Sequence, residues 1–337
     1  MGMRWVGVFA MFWLAAVCGC QPNPSSAEES TKEPPRVGFA EDRVPKPGDN
    51  KAAFDGDRAM KYLKQLCDLG PRISGTDGMT KQQELLTKHF AAMGAKVARQ
   101  EFTGQQPSQK AEVPLVNLVA SWNPERKDRI ILCAHYDTRP LADQEANPKN
   151  WAKPFVSAND GTGGVALLME LAHGMKDIAT GVGVDFVIFD GEEYVFNAQD
   201  KYFLGSEYFA ADYAKKQKGK KPEFKYTAAI LFDLCCHTGA KLNVEGHSWD
   251  NAKELVLEVW KVAEANKAKS FKFVRGFDRS THVLDDHIAL QNAGIPAIDV
   301  VDFDYEHWHK LTDTPDKCSA AQFAEVGGVI AAWLKGK

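Results

Sequence analysis

The sequence is short of several things at once. Its seven cysteines contain no C-x-x-C motif and keep no regular spacing, which argues against a disulfide framework or a structural zinc ribbon. The vicinal pair Cys235-Cys236 reads as two small buried side chains. Basic charge is not in excess: 41 Lys and Arg stand against 45 Asp and Glu, a net charge of −4. With no basic stripe either, nothing here is built for a nucleic-acid backbone. There is no internal repeat. The leading apolar run, Trp5 to Val17, is too short to span a bilayer. The 337 residues suit one large α/β domain or two small ones, with ample length for a buried core.

What the chain does have begins with a targeting segment. Arg4 supplies a positive start, the short apolar core follows, and Val17-Cys18-Gly19 before Cys20 fits the lipobox of a bacterial lipoprotein signal. Residues 1–19 are therefore expected to be removed and Cys20 to carry the lipid. Cys18 is the alternative anchor, and an ordinary cleaved signal is the competing reading. Gln21 after the anchor points to the outer membrane, so the protein is expected outside the cytoplasm, on the periplasmic face. Residues 20–52, rich in Pro, Ser, Glu and Lys with few large apolar side chains, read as a disordered tether. Residues 53–337 are left as the catalytic domain.

Along that domain, strands alternate with helices. Asp55 to Leu69 places Ala59, Tyr62, Leu63 and Leu66 at helical spacing and stops at Gly70-Pro71. A second helix is expected over Asp77–Met93, an edge strand over Lys96–Phe102, and strands over Val116–Trp122 and Arg129–Ala134. After a long loop, Asn159 to Gly164 opens an apolar helix, Val165 to Met175. Val184–Phe189 and Thr227–Phe232 read as buried strands, with a helix over Phe203–Lys218 between them. A short strand (Lys241–Glu245), helices (Asn251–Ala265, Asp285–Asn292), a strand (Ile295–Val301) and a terminal helix (Ala320–Leu334) complete the chain. This order predicts an α/β fold, a three-layer α/β/α sandwich with a mostly parallel central sheet.

The chemistry gathers at one edge of that sheet. Val187-Ile188-Phe189 is an apolar run that ends in Asp190-Gly191 and then two adjacent carboxylates, Glu192 and Glu193. Neighbouring side chains at a strand end point apart, so one glutamate can bind a metal while the other stays free as a base. A solvated acidic turn is the bland reading of this stretch alone. His135 and Asp137, Asp233, Asp160 and His309 all follow strand ends or open a helix. In open α/β sheets the carboxyl edge is where ligands bind, and imidazole with carboxylates is the donor set zinc takes. His237, His247, His282 and His307 read as surface or structural residues, with His282 the nearest to a pocket residue. Lys215 to Lys221 reads as a solvated helix end.

The motifs Gly70-Pro71-Arg72, His135-Tyr136-Asp137, Asn159-Asp160, Asp190-Gly191-Glu192-Glu193, Leu204-Gly205-Ser206, Asp233, Asp285-Asp286-His287 and Trp308-His309 stand in this order. The sequence thereby resembles the zinc-dependent aminopeptidases that also include the glutaminyl cyclases, over roughly residues 54–334. The resemblance implies Asp160, Glu193 and His309 as ligands of a zinc common to both branches, and Glu192 as general base and acid. In the two-zinc aminopeptidases His135 and Asp233 complete a second site, with Asp160 bridging and Asp137 orienting His135. All five ligands are present, so the ligand list is silent on one zinc or two. The acidic doublet Asp285-Asp286, Trp308 before His309 and the Gln199-Asp200…Leu204-Gly205-Ser206 segment lean to the cyclases. A tryptophan expected after the glutamates is absent, with Phe196 nearest, and Leu284 stands where a glutamine often precedes the doublet. The expected function is cyclisation of N-terminal Gln to pyroglutamate with loss of ammonia, on peptide or protein N-termini. There Glu192 shuttles the proton, crowding by Asp285 and Asp233 raises its pKa, and Trp308 walls the pocket or merely packs in the core. Aminopeptidase activity is the alternative, and an inactive binding domain on the same scaffold the third reading.

Overall fold

The computed structural model describes residues 54–178, 180–218, 222–273 and 282–337. The expected signal segment and tether, with Cys18, Cys20 and Gln21, lie outside the described residues.

A six-stranded sheet forms the middle layer. Its strands are β1 (Lys96–Gly104), β2 (Val113–Trp122), β3 (Asp128–His135), β4 (Gly183–Phe189), β5 (Lys225–Phe232) and, after two short strands, β8 (Ala297–Val300). They lie in the order β1-β2-β4-β3-β5-β8. β4, β3, β5 and β8 run parallel, while β2 and β1 add an antiparallel margin. The connection from β1 to β2 is too short for a crossover helix, so that pair can only be a hairpin. All seven positions of β4 are buried, as a strand covered on both faces requires.

The period of two in β3 sorts the helices into layers. Ile130, Leu132 and Ala134 join the cluster containing Leu63 of α1 (Gly56–Cys67), Phe90 of α2 (Asp77–Ala92), Leu168 of α3 (Thr162–Gly174), Val259 of α5 (Gly246–Ala265) and Phe323 of α7 (Ala320–Lys335). Ile131 and Cys133 face the other way, onto Phe209 and Tyr213 of α4 (Leu204–Gln217) and Leu290 of α6 (Asp286–Asn292). The three-layer sandwich expected from the sequence is what forms. Burying a side chain such as Leu132 is worth about 1.5–3 kcal/mol, so the layers are held mainly by these rows.

Several element ends shift from expectation by two or three residues, and two differences after β5 are larger. The strand expected over Lys241–Glu245 is reduced to β6 (Leu242–Asn243), which pairs with β7 (Phe271–Lys272) in a separate two-stranded sheet. Helix α5 starts at Gly246 rather than Asn251, with a kink at Ala252. The reason is the Glu245 side chain, which caps the helix by accepting from the backbone N–H groups of His247 (2.8 Å) and Ser248 (2.6 Å). A polar stretch, Glu245 to Asp250, thus belongs to a helix that its hydropathy does not announce.

Glu245 is also 3.2 Å from His287 Nε2. Burial by itself pushes its carboxyl up, but His287, the Ser248 hydroxyl and the cap N–H outweigh burial and hold its pKa at about 2. A carboxyl depressed by folding stabilises the fold above its unfolded pKa and loses that contribution as pH falls through the folded one. Glu245→Gln is expected to cost about 1–3 kcal/mol at neutral pH. It should also flatten the loss of stability as the pH falls from about 4.5 to about 2. Urea melts across that range check both outcomes.

Candidate metal centre

Apart from His309, each acidic or imidazole group of the metal cluster stands at or next to the end of an element. His135 is the last residue of β3, and Asp233 follows β5 directly. After β4 the chain turns at Asp190-Gly191, where Gly191 takes a φ of 71°, and presents Glu192 and Glu193. Gly161, with a φ of 70°, turns the chain from Asp160 into α3. His309 comes from the loop after β8 and has a φ of 52°.

The structure brings the five expected metal ligands and Glu192 into one buried cluster. His309 Nε2 lies 3.1 Å from Glu193 Oε2 and 3.7 Å from Asp160 Oδ2. His135 Nε2 lies 3.3 Å from Asp160 Oδ1 and 3.4 Å from Asp233 Oδ1. Its Nδ1 is 3.7 Å from Glu192 Oε2. Three groups could each surround one cation: Asp160, Glu193 and His309; His135, Asp160 and Asp233; and His135, Glu192 and Glu193. Both oxygens of Glu193, Asp160 Oδ2 and His135 Nδ1 are buried without a hydrogen-bond partner. Buried anionic oxygens with no donor demand a compensating charge. Imidazole and carboxylate oxygens in a tight set fit zinc.

Electrostatics say the same. Burial pushes Glu192 well above the ordinary carboxylate range, and Glu193, Asp285 and Asp286 push it further, against the opposing pull of His135. Burial and Asp160 raise Glu193, and burial, Asp233 and Asp286 raise Asp285. At Asp160 the imidazoles of His135 and His309 overcome burial and pull the carboxyl down. Crowding of Glu192 was expected from Asp285 and Asp233. Asp285 does crowd it, Glu193 and Asp286 add to the crowding, and Asp233 presses on Asp285.

Asp137 does more than the sequence led one to expect. Its oxygens accept the backbone N–H groups of Glu192 at 3.1 Å and Glu193 at 3.0 Å, and stand 3.6 Å from His135 Nδ1. It anchors the two glutamates more firmly than it orients the histidine. Trp308 is half-buried and packs beside the cluster. It rests on Leu234, Val283, Val301 and Tyr305, and its ring centroid is 3.9 Å from that of His309.

Three residues that sequence reasoning passed over support the cluster. Asp313 accepts from the backbone N–H of Asn159 (3.0 Å) and Asp160 (3.2 Å) and from the Tyr305 hydroxyl (2.7 Å). Arg139 pairs with Asp143, which in turn meets His309 Nδ1 at 3.0 Å. Each is a single charged residue in a loop, with no spacing to mark it. Arg72 of the Gly70-Pro71-Arg72 motif is wholly buried. It ties the turn before α2 to Val156 O at 2.7 Å and to the Thr162 hydroxyl at the start of α3. Gly205 lets α4 settle on the Asp190 turn, because a Cβ there would collide with Asp190 O and Asn117 Oδ1. His237 pairs with Asp302, His282 with Asp250 and His307 with Thr312, so none of these enters the cluster.

Residues 117–334 match the family described as peptidase family M28. The chain belongs to that family. It is 58% identical to a glutaminyl cyclase of Fimbriiglobus ruber, a solved structure, over 84% of this chain and 96% of that one, with a TM-score of 0.81. A leucine aminopeptidase precursor of Bacteroides thetaiotaomicron is 29% identical, covering 86% of this chain and 99% of that one, with a TM-score of 0.77. Among curated proteins, the glutaminyl-peptide cyclotransferase of Bos taurus is 22% identical over 242 residues, 65% of either chain. The family member described here is a zinc-dependent enzyme.

The tightest joint in the site yields a test. A Cβ on Gly161 would stand 2.5 Å from His135 Cε1 and 2.7 Å from Nε2, at a backbone angle that L side chains rarely adopt. Gly161→Ala is therefore expected to cost about 1–3 kcal/mol of stability and to lower zinc content. Urea melts and metal analysis of the purified protein read the two effects.

Proposed function

We propose that this enzyme is a glutaminyl-peptide cyclotransferase, which closes an N-terminal Gln into pyroglutamate and releases ammonia. The observation that carries the proposal is the 58% identity to the Fimbriiglobus ruber glutaminyl cyclase across 84% of the chain. In this reading Asp160, Glu193 and His309 hold one zinc. When bound there, the metal supplies a Lewis acid for the side-chain carbonyl of the glutamine.

The remaining work falls to the chain itself. Glu192 takes a proton from the α-amine, whose nitrogen then attacks the amide carbon. As the carbon–nitrogen bond to the leaving group breaks, Glu192 returns the proton and ammonia departs. A base that must both accept and donate works best with a pKa near the operating pH. Burial and the neighbouring Asp285 push Glu192 in that direction, with Asp233 acting on Asp285. Trp308, half-buried beside His309, gives the aliphatic part of the substrate side chain an apolar wall.

A second reading has its own observation. The group His135, Asp160 and Asp233 could hold a second cation, with Asp160 shared, as a two-zinc aminopeptidase needs. There Glu192 would take a proton from the water that attacks the first peptide bond. An inactive binding domain is the weakest reading, since Glu192 and Glu193 are both in place.

We also infer that the protein is exported and held by a lipid on Cys20 at the periplasmic face of the outer membrane. The leading segment of the sequence supports this. Among the described residues, no helix is long and apolar enough to cross a membrane.

Glu192→Gln is expected to lower turnover of a Gln-peptide by about 10²–10⁴-fold while zinc content stays unchanged. Ammonia release and the loss of a free amino terminus measure the wild-type reaction. Free amino acids from unblocked peptides, with two zincs per chain, would instead establish the aminopeptidase. Cys20→Ala should move the protein from the membrane pellet to the soluble fraction, and an unchanged partition would refute the anchor.

A further inference from the structure

Two charged residues that the proposed chemistry leaves unused stand directly behind His309. Arg139 leaves the end of β3 in the loop that carries Asp137. Its side chain is only 5% exposed, so its charge must be met by protein. Nε and Nη2 donate to the two carboxylate oxygens of Asp143 at 3.2 and 2.7 Å, a parallel fork that only a guanidinium forms. Nη1 is buried with no partner, and the Tyr202 ring covers the guanidinium at 5.3 Å. Asp143 Oδ1 lies 3.0 Å from His309 Nδ1. The same loop clasps the His309 turn from both sides: Gln144 N donates to His309 O at 3.2 Å, and Leu311 N donates to Glu145 Oε1 at 3.0 Å.

The geometry points to Arg139 and Asp143 as positioning residues that fix the Nδ1–H tautomer of His309 and turn its Nε2 lone pair toward the cation. This rests on the proposal that His309 holds that cation. A neutral imidazole carries one hydrogen on two nitrogens, and its partner decides which. An ionised carboxylate only accepts, so Nδ1 must hold the hydrogen. Nε2, which faces Glu193 and Asp160, is then left as the donor atom. Asp143 alone would serve poorly, because its side chain is 26% exposed and free to swing into water. Gripped at both oxygens by Arg139, the carboxylate keeps one plane and one distance from the ring. Position matters here because His309 sits at a left-handed backbone angle and has no rigid strand or helix to aim it.

Four variants of the full chain test the assignment: Asp143→Asn, Asp143→Ala, Arg139→Gln and Arg139→Lys. Zinc affinity is read by chelator competition, the visible absorption of the cobalt-loaded protein reports ligand geometry, and thermal melts report the fold. Asp143→Asn, Asp143→Ala and Arg139→Gln should weaken zinc about 10–100-fold and alter the cobalt spectrum. Arg139→Lys, which keeps the charge and loses the fork, should recover part of the affinity. Variants that melt earlier but keep wild-type zinc affinity and cobalt spectrum would reduce the pair to a clasp for the loop and overturn the assignment. A wild-type chain that takes up neither metal would overturn the site itself, a result distinct from the first.

Discussion

Repulsion between carboxylates that water barely reaches is the constraint on which the rest of this structure turns. Asp160, Glu192, Glu193, Asp233 and Asp285 are all buried at one sheet edge, and Glu193 has no donor for either oxygen. Left to themselves such groups lower their charge by taking up protons, and burial does push Glu192, Glu193, Asp233 and Asp285 upward. A cation among them reverses that balance. The same burial that makes the empty arrangement costly makes the filled one tight, since each anion–cation contact acts in a medium of low dielectric. The folded domain is therefore built as one half of a complex whose other half is a metal ion.

That constraint explains where the supporting interactions lie. Asp137 holds the backbone of the two glutamates, Asp313 holds the backbone of Asp160, and Asp143 meets the back of His309. The segments that carry the two glutamates, Asp160 and His309 are turns or loops outside the sheet ladder. In each of these an additional carboxylate does the fixing, by accepting from N–H groups of the segment. Acids thus serve in two ranks here, one presenting oxygens inward and one gripping the chain from behind.

The first rank was legible in the sequence, and of the second only Asp137 was. A glutamate pair after Val187-Ile188-Phe189, a histidine after a buried strand and Asp233 after another are visible because strand periodicity fixes where the edge is. His309 and Asp160 needed the motif order as well. The layers followed from the alternation of strands and helices, and β3 sorts them as its alternating side chains require. Asp313, Arg139 and Asp143 had no such frame: each is one charged residue in an irregular segment, and only the folded path shows what it touches. The start of α5 escaped for a related reason. Its first turn is polar, and the side chain of Glu245, rather than an apolar stripe, sets the boundary.

One cluster can serve two reactions because the ligands and the base are indifferent to the electrophile. Glu192 needs only a proton donor nearby, whether an amine or a water, and the cation needs only a carbonyl to polarise. What separates the reactions is the space beside the cluster. Cyclisation requires the substrate's own amine to fold back on its side chain, which favours a closed wall against the glutamine methylenes. Trp308 stands beside His309 on the same turn, and Phe303 packs against it with ring centroids 5.1 Å apart. Leu284, just before the acidic doublet, is largely exposed to solvent. The metal ligands and the base therefore leave both reactions open, and only the groups beside the cluster can tell a folding amine from an attacking water.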